Sequence, residues 1–217
     1  MSNRQLTPEL LLSAYASGIF PMAERRDSKD VYWVDPRSRG ILPLDGFHIS
    51  RSLAKRLRQG DYRIAISTDL GAVLDGCADR DETWINGTIR DLTRELFEAG
   101  HAHTLEVWRG DRVIGGVYGI TLGGAFFGES MFSKEIDGSK IALAWLVDHL
   151  RRTGFTLFDT QFTTPHLMSL GAIEIPREDY RARLAVALNV FTSIDAVDLE
   201  TNPYAVVQRM TQTSYRA

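Results

Sequence analysis

Asp159, Gln161 and Glu129 stand in settings where their side chains could do chemistry. Phe155-Thr156-Leu157-Phe158 reads as an apolar strand that delivers Asp159-Thr160-Gln161 at its C-terminal end. Residues two apart on a strand point to the same face, so a carboxylate and an amide would stand side by side if the strand continues. A carboxylate can take a proton or hold a cation, whereas a neutral amide at pH 7 can only orient a partner. Glu129 is an acid in residues 115–133, a run dominated by glycines and apolar side chains. It fits two descriptions: the solvent edge of a bulged core hairpin, or an acid set against a bound group. His101 and His103 would share a strand face and offer two metal nitrogens. No Cys or acid at ligand spacing completes the set, so no metal is expected. Cys77 is the sole cysteine, which rules out an internal disulfide and suggests a reducing cytosol.

The elements that must position these groups can be read in outline. Val117, Tyr118, Ile120 and Leu122 favour a strand, Gly123-Gly124 a two-residue turn, and Ala125-Phe126-Phe127 a return strand. Glycine weakens a strand, so a glycine-studded hairpin implies that something approaches its backbone closely. Thr7-Pro8 reads as an N-cap with Pro at the first helical position, followed by a helix that Gly18 ends. Tyr32-Trp33-Val34-Asp35-Pro36-Arg37 sets two aromatics beside an Arg, an arrangement suited either to stacking on nucleobases or to a small aromatic cluster. Residues 41–44 form an irregular apolar connection, the expected domain junction. Ser50 caps a helix to about Gln59 that turns Leu53 and Leu57 inward and Arg51, Lys55, Arg56 and Arg58 outward. With Arg37, Arg39 and Arg63 this is the densest positive segment, either a solvated face or a phosphate contact.

Downstream, residues 62–67 alternate as a strand, and residues 69–81 are polar and glycine-containing, without a predicted element. A helix carries Ile89, Leu92 and Leu96, and residues 104–109 form a strand before the hairpin. Residues 141–150 are apolar all round and predict a buried helix, with Ser139 or Asp137 as its cap. A short helix after Thr164-Pro165, a short strand at 172–175 and a last helix with Tyr180 and Leu184 follow. The tail from Phe191 is weakly patterned. The order predicts an α+β (mixed α/β) fold, a mixed sheet flanked by helices.

The totals exclude several classes. A chain of 217 residues with 44% hydrophobic and 24% charged residues can bury an ordinary core. No apolar run reaches the ~18 residues that cross a bilayer, so no membrane partner is expected. The start, residues 1–6, runs into the first helix without a signal-peptide pattern, and the expected location is cytoplasmic. A net charge of −3 argues against a general nucleic-acid binder but leaves room for a local basic patch.

The strand-loop-helix step at residues 126–141 is where acyltransferases of the GNAT type bind a phosphate-bearing donor. Here the loop is Glu135-Ile136-Asp137-Gly138-Ser139-Lys140, whose acids and bulk fit a coenzyme A pyrophosphate poorly.

A set of motifs then converges. These are Gly18-Ile19-Phe20-Pro21-Met22, Trp33 with Asp35-Pro36-Arg37, Phe47-His48-Ile49-Ser50-Arg51-Ser52, Thr83-Trp84-Ile85, His103-Thr104-Leu105-Glu106-Val107-Trp108, Gly128 through Ser133, Asp159 with Gln161, and Ser169-Leu170-Gly171-Ala172. In this order, over roughly residues 5–181, the chain resembles the bacterial leucyl/phenylalanyl-tRNA–protein transferase family. The segment Tyr32 to Arg37 is one residue shorter than the family's usual Trp-Trp-Ser-Pro-Asp-Pro-Arg.

The resemblance implies transfer of Leu, Phe or sometimes Met from aminoacyl-tRNA to the α-amine of proteins beginning with Arg or Lys, marking them for N-end rule degradation. It implies a small N-terminal domain (1–45), a GNAT-like acyltransferase domain (46–217), no cofactor beyond the tRNA substrate, and a monomer. It makes Asp159 and Gln161 the catalytic pair, with either Gln161 on the attacking amine and Asp159 orienting it, or both positioning the acceptor. Glu129 would hold the terminal adenosine or the acceptor's cationic N-terminus. By position in the family pattern, Val117, Phe126, Met131, Leu143, Leu150, Phe158 and Leu170 would wall an apolar donor pocket, and Trp33 and Trp84 would lie near the adenosine. Arg37, Arg51, Lys55, Arg56, Arg58 and Lys140 would meet the tRNA.

Overall fold

The first turn forms as its residues dictate: Thr7 Oγ1 accepts the Leu10 N–H at 3.3 Å and Pro8 opens helix α1 (Pro8–Ala16). The chain is seen in a computed structural model that describes residues 6–28, 30–81 and 83–212. The start at 1–5, Lys29 in the charged loop, Glu82 and the end of the tail lie outside the described residues. After Gly18, at φ 80°, strand β1 (Phe20–Met22) pairs antiparallel with β2 (Tyr32–Val34) as a separate two-stranded sheet. β3 (Ser38–Ile41) then enters the main sheet, so the connection expected at 41–44 begins with a strand.

Helix α2 (Arg51–Gln59) is capped by Ser50, whose Oγ accepts the Leu53 N–H at 3.2 Å, and closes on Gly60 at φ 61°. β4 (Arg63–Ile66) follows. The glycine-containing stretch after it is a helix, α3 (Leu70–Ala78), capped by Asp69. Leu70, Val73, Leu74 and Cys77 hold helical spacing and are buried, and one of the two glycines that dilute the pattern, Gly76, has a packing cause. A Cβ at Gly76 would lie 2.5 Å from the Phe132 ring. α4 (Gly87–Glu98) is capped by Asn86 and leads to β5 (Ala102–Arg109), β6 (Arg112–Leu122) and β7 (Ala125–Ser133). α5 (Gly138–Thr153) comes next, with residues 141–150 buried on every side. β8 (Leu157–Gln161), α6 (Pro165–Ser169), β9 (Ile173–Pro176) and α7 (Arg177–Ala187) complete the predicted order. The weakly patterned tail also contains a helix, α8 (Pro203–Gln212). It buries Val206, Val207 and Met210 and is tied to Asp148 of α5 by two Arg209 hydrogen bonds of 2.7 and 2.8 Å.

The main sheet runs β4-β5-β6-β7-β8-β3-β9. Every adjacent pair is antiparallel except β7 with β8, which is parallel, and α5 is the crossover that a parallel pair requires. Helices cover both faces: Phe126 packs in the cluster of α5, α2 and α8, and its neighbour Phe127 in the cluster of α1, α4 and α7. The protein is thus mixed α/β, a mixed sheet flanked by helices.

The expected close approach to the glycine hairpin is internal. A Cβ on Gly115 would fall 2.5 Å from the backbone of Gly138, so the start of α5 rests directly on β6. At Gly119 the space belongs to the Phe126 ring and the Phe127 carbonyl.

Candidate active site

Two irregularities open the sheet at one point. β6 and β7 pair as Tyr118↔Ser130 and then Gly119↔Gly128, so Glu129 is the unpaired residue of a β-bulge. Bulges re-aim a side chain and increase local twist. β7 and β8 are paired only over Ala125–Phe127 and Leu157–Asp159, although β7 continues to Ser133. Beyond Phe127 the two strands part, and Glu129 and Gln161 border the gap.

Glu129 is therefore not at the edge of a plain core hairpin. The Tyr15 hydroxyl of α1 donates to its Oε1 at 2.7 Å, and Gln161 Nε2 donates to the same oxygen at 2.8 Å. Its carboxyl is closely enclosed, and that burial pushes it up to about 7, with the Asp159 charge adding to the shift and both hydrogen bonds opposing it. Such an acid changes charge near neutral pH, where a proton acceptor is most useful.

Asp159 has another role than standing beside the Gln161 amide. It is fully buried, and Arg39 holds it with two bonds, Nε to Oδ1 at 2.9 Å and Nη2 to Oδ2 at 2.6 Å. The Tyr180 hydroxyl donates to Oδ2 at 2.8 Å. The Arg39 guanidinium is itself sandwiched between the rings of Phe20 and Tyr180, at 4.5 and 4.4 Å, and donates to the Gly18 carbonyl. A carboxylate so neutralised and enclosed does not meet a substrate. Its Oδ1 accepts the backbone N–H of Gln161 at 2.8 Å, and Gln161 adopts φ 63°, a left-handed conformation rare outside glycine. Asp159 thus fixes the turn that swings the Gln161 amide onto Glu129. Arg39, read in the sequence as one more basic residue, is the counter-ion the sequence did not reveal.

Between the parted strands lies a cavity of about 240 Å³. Of the predicted wall, Val117, Met131, Leu143 and Phe158 line it, as does Trp84, expected near the adenosine, with Glu129 and Gln161 on its polar side. Phe126 stands outside, packed edge-on against Phe158 at 5.0 Å. Leu150 and Leu170 are core residues that do not reach it, and Trp33 sits on β2, half-exposed and outside the lining. Met22, Arg80, Phe162 and Leu167 complete the wall and were not predicted. Phe162, adjoining Gln161, carried a positional hint, whereas Arg80 carried none.

The basic residues are distributed unevenly. Arg37, Arg51, Lys55 and Arg58 are exposed. Arg56 pairs with Asp61 at 2.7 Å, and Lys140 with Asp137 at 2.8 Å. None of the six lines the cavity. His101 and His103 bond within the fold, His103 to Ser67 Oγ and the Gly100 carbonyl, each at 3.1 Å.

An apolar cavity at an opened strand pair, with a carboxyl of raised pKa on its rim, has the character of an enzyme site. The family model for leucyl/phenylalanyl-tRNA protein transferase matches residues 41–185, and the model for that family's N-terminal domain matches residues 4–37. A leucyl/phenylalanyl-tRNA–protein transferase of Ruegeria pomeroyi is 61% identical, covering 96% of this chain and 99% of its own. One from Cereibacter sphaeroides is 62% identical, covering 96% and 98%. Among solved structures, L-PGS from Bacillus licheniformis overlays with a TM-score of 0.41 at 15% identity, covering 96% of this chain and 77% of that one, a likeness too slight to argue from. The chain belongs to the leucyl/phenylalanyl-tRNA–protein transferase family, and is thereby an aminoacyltransferase.

Proposed function

We propose that the cavity receives the side chain of Leu, Phe or Met esterified to tRNA. The enzyme passes that residue to the α-amine of a protein beginning with Arg or Lys, which enters the N-end rule pathway. The observation that carries this is the pairing of Glu129 with Gln161 on the rim of an apolar cavity. In the reaction the amine attacks the ester carbonyl, the C–N bond forms and the C–O bond to the ribose breaks. The amine proton leaves for an acceptor, and the ribose oxygen takes one up. The step is downhill and asks for no cofactor, so positioning can supply much of the acceleration. Glu129 is the proton acceptor and the anchor for the cationic acceptor terminus. Gln161 holds its orientation, and Asp159 with Arg39 keeps Gln161 in place.

Val117, Met131, Leu143 and Phe158 grip the donor side chain, and the flexible Met131 thioether accommodates both branched and aromatic donors. Trp84, on the same wall, is suited to stack on the terminal adenosine. The exposed cations Arg37, Arg51, Lys55 and Arg58 face the tRNA phosphates. Residues 1–45 form the small N-terminal domain, which lends β3 to the main sheet, and 46–217 the GNAT-like catalytic domain. The protein works as a cytoplasmic monomer. A coenzyme A donor at the start of α5 is disfavoured. The Gly138 N–H already donates to the Glu135 carbonyl at 3.0 Å and the Ser139 N–H to Ser133 Oγ at 3.0 Å, while Asp137, at the N-cap, makes no capping bond of its own.

The test incubates the protein with Phe-tRNA and a peptide beginning with Lys or Arg, and weighs the product. A mass gain of one phenylalanine is expected, with none on a peptide beginning with Glu and no acetyl gain from acetyl-CoA. An unmodified Lys or Arg peptide would end this reading.

A further inference from the structure

A second, polar cavity of about 400 Å³ adjoins the first, and Arg80 and Met131 line both. Its other walls include Ser133, Lys134, Ser139 and His166. We infer that it is a subsite for the phosphodiester joining the terminal adenosine of the donor tRNA to the nucleotide before it. The inference rests on the functional reading above and adds a second anchor for the same substrate.

Charge and position carry it. Arg80 and Lys134 form no ion pair with an acid among the described residues, while Asp79 supplies the negative charge on the rim. The Arg80 guanidinium donates to the Met131 carbonyl, which holds it at the seam between the two cavities. Arg26 lies against the same corner, donating to the carbonyls of Ala78 and Arg80, and adds a further cation. On the facing wall, His166 Nε2 is shut from solvent without a hydrogen-bond partner among the described residues. The Lys134 ammonium rests over the Phe132 ring at 5.9 Å, a loose contact that leaves its protons for another acceptor. The two cations suit a phosphate oxygen. The helix start contributes no donor, because the N–H groups of Gly138 and Ser139 are already engaged.

The geometry of the donor requires such a neighbour. The amino acid is esterified on one side of the terminal ribose and the phosphodiester leaves from its 5′ side, so the two groups are one sugar apart. Two cavities sharing one wall meet that arrangement, the apolar one for the side chain and the cationic one for the phosphate.

Two minimal donors test this: phenylalanine esterified to adenosine, and the same ester carrying a 5′-phosphate. The KM of the wild-type protein should be about tenfold lower for the phosphorylated donor, the scale of one charge-assisted hydrogen bond. Lys134→Ala should abolish most of that advantage while moving the KM of the plain ester less than twofold, and Lys134→Arg should restore it. Equal KM values for the two donors in the wild-type protein would overturn the subsite alone, as would an Ala variant that weakens both donors equally. Failure of the wild-type protein with either donor and with charged tRNA would remove the functional reading and the subsite together.

Discussion

Glu129 sits in a place that makes its charge unfavourable. Its folded pKa of about 7 lies above the unfolded value of 4.5, so between those values the folded state binds the proton more tightly. Stability therefore falls as pH rises from about 4.5 to 7, by on the order of 3 kcal/mol when the group is fully ionised. Glu129→Gln should raise Tm by several degrees at pH 8, and the difference should vanish near pH 4.5, as thermal scans across pH would show. The same variant should lower kcat/KM by about a hundredfold or more and remove an acidic limb with an apparent pKa near 7 from the pH–rate profile. Asp159→Ala leaves the buried Arg39 charge without its partner and should cost about 3–5 kcal/mol in urea unfolding. A double-mutant cycle with Arg39→Ala should recover a substantial part of that loss as coupling between the two sites.

At the scale of elements, the site is a consequence of strand pairing. The bulge in β7 and its short parallel pairing with β8 create the gap, and α5 is pressed onto β6 at Gly115 and Gly138. Gly115→Ala would drive a Cβ into backbone atoms that cannot step aside. It should destabilise the protein by on the order of 3 kcal/mol and lower transfer activity by displacing the start of α5, both measurable against the unaltered protein. Helix α1 reaches the same site through a single hydroxyl. Tyr15→Phe removes the donor to Glu129 while keeping the ring in the core beside Phe127 at 4.9 Å. Its pH–rate limb should shift upward, because a hydrogen bond that favoured the carboxylate is gone.

Over the whole molecule, the N-terminal segment and the main sheet are joined at the site itself. Tyr15 and Arg39 come from the first part of the chain, and the groups they hold, Glu129 and Asp159, from the sheet. The cationic face of α2 lies apart from the cavity, as a long nucleic acid would require. Neutralising Arg51, Lys55 and Arg58 together should weaken aminoacyl-tRNA binding and flatten the log–log salt dependence by about two to three units. An unchanged slope would remove α2 from the tRNA contact.

Local rules made much of this legible before any coordinates. Thr7-Pro8 and Ser50 start their helices because side-chain caps act within one turn, and Gly123-Gly124 turns the hairpin because both act through adjacent backbone. The short spacing of Asp159 and Gln161 likewise placed them together, and the fold brings Glu129 to Gln161 beside the cavity. The sequence misled where distant partners decide. α3 is obscured by its glycines, of which Gly76 makes room for the Phe132 ring, and α8 by a burial face that α5 and α2 supply. Phe126 on β7 and Leu150 on α5 are apolar residues like their neighbours, and only their packing in the core cluster keeps them from the cavity. By itself the sequence determined which residues stand as candidates for the chemistry and the order of most elements that carry them. Tertiary structure alone decided that Arg39 pairs with Asp159 and that Glu129 is enclosed by Tyr15 and Gln161 on the cavity rim. The reason is physical: a carboxylate's role depends on which charges and donors surround it, and here they arrive from segments far apart in the chain.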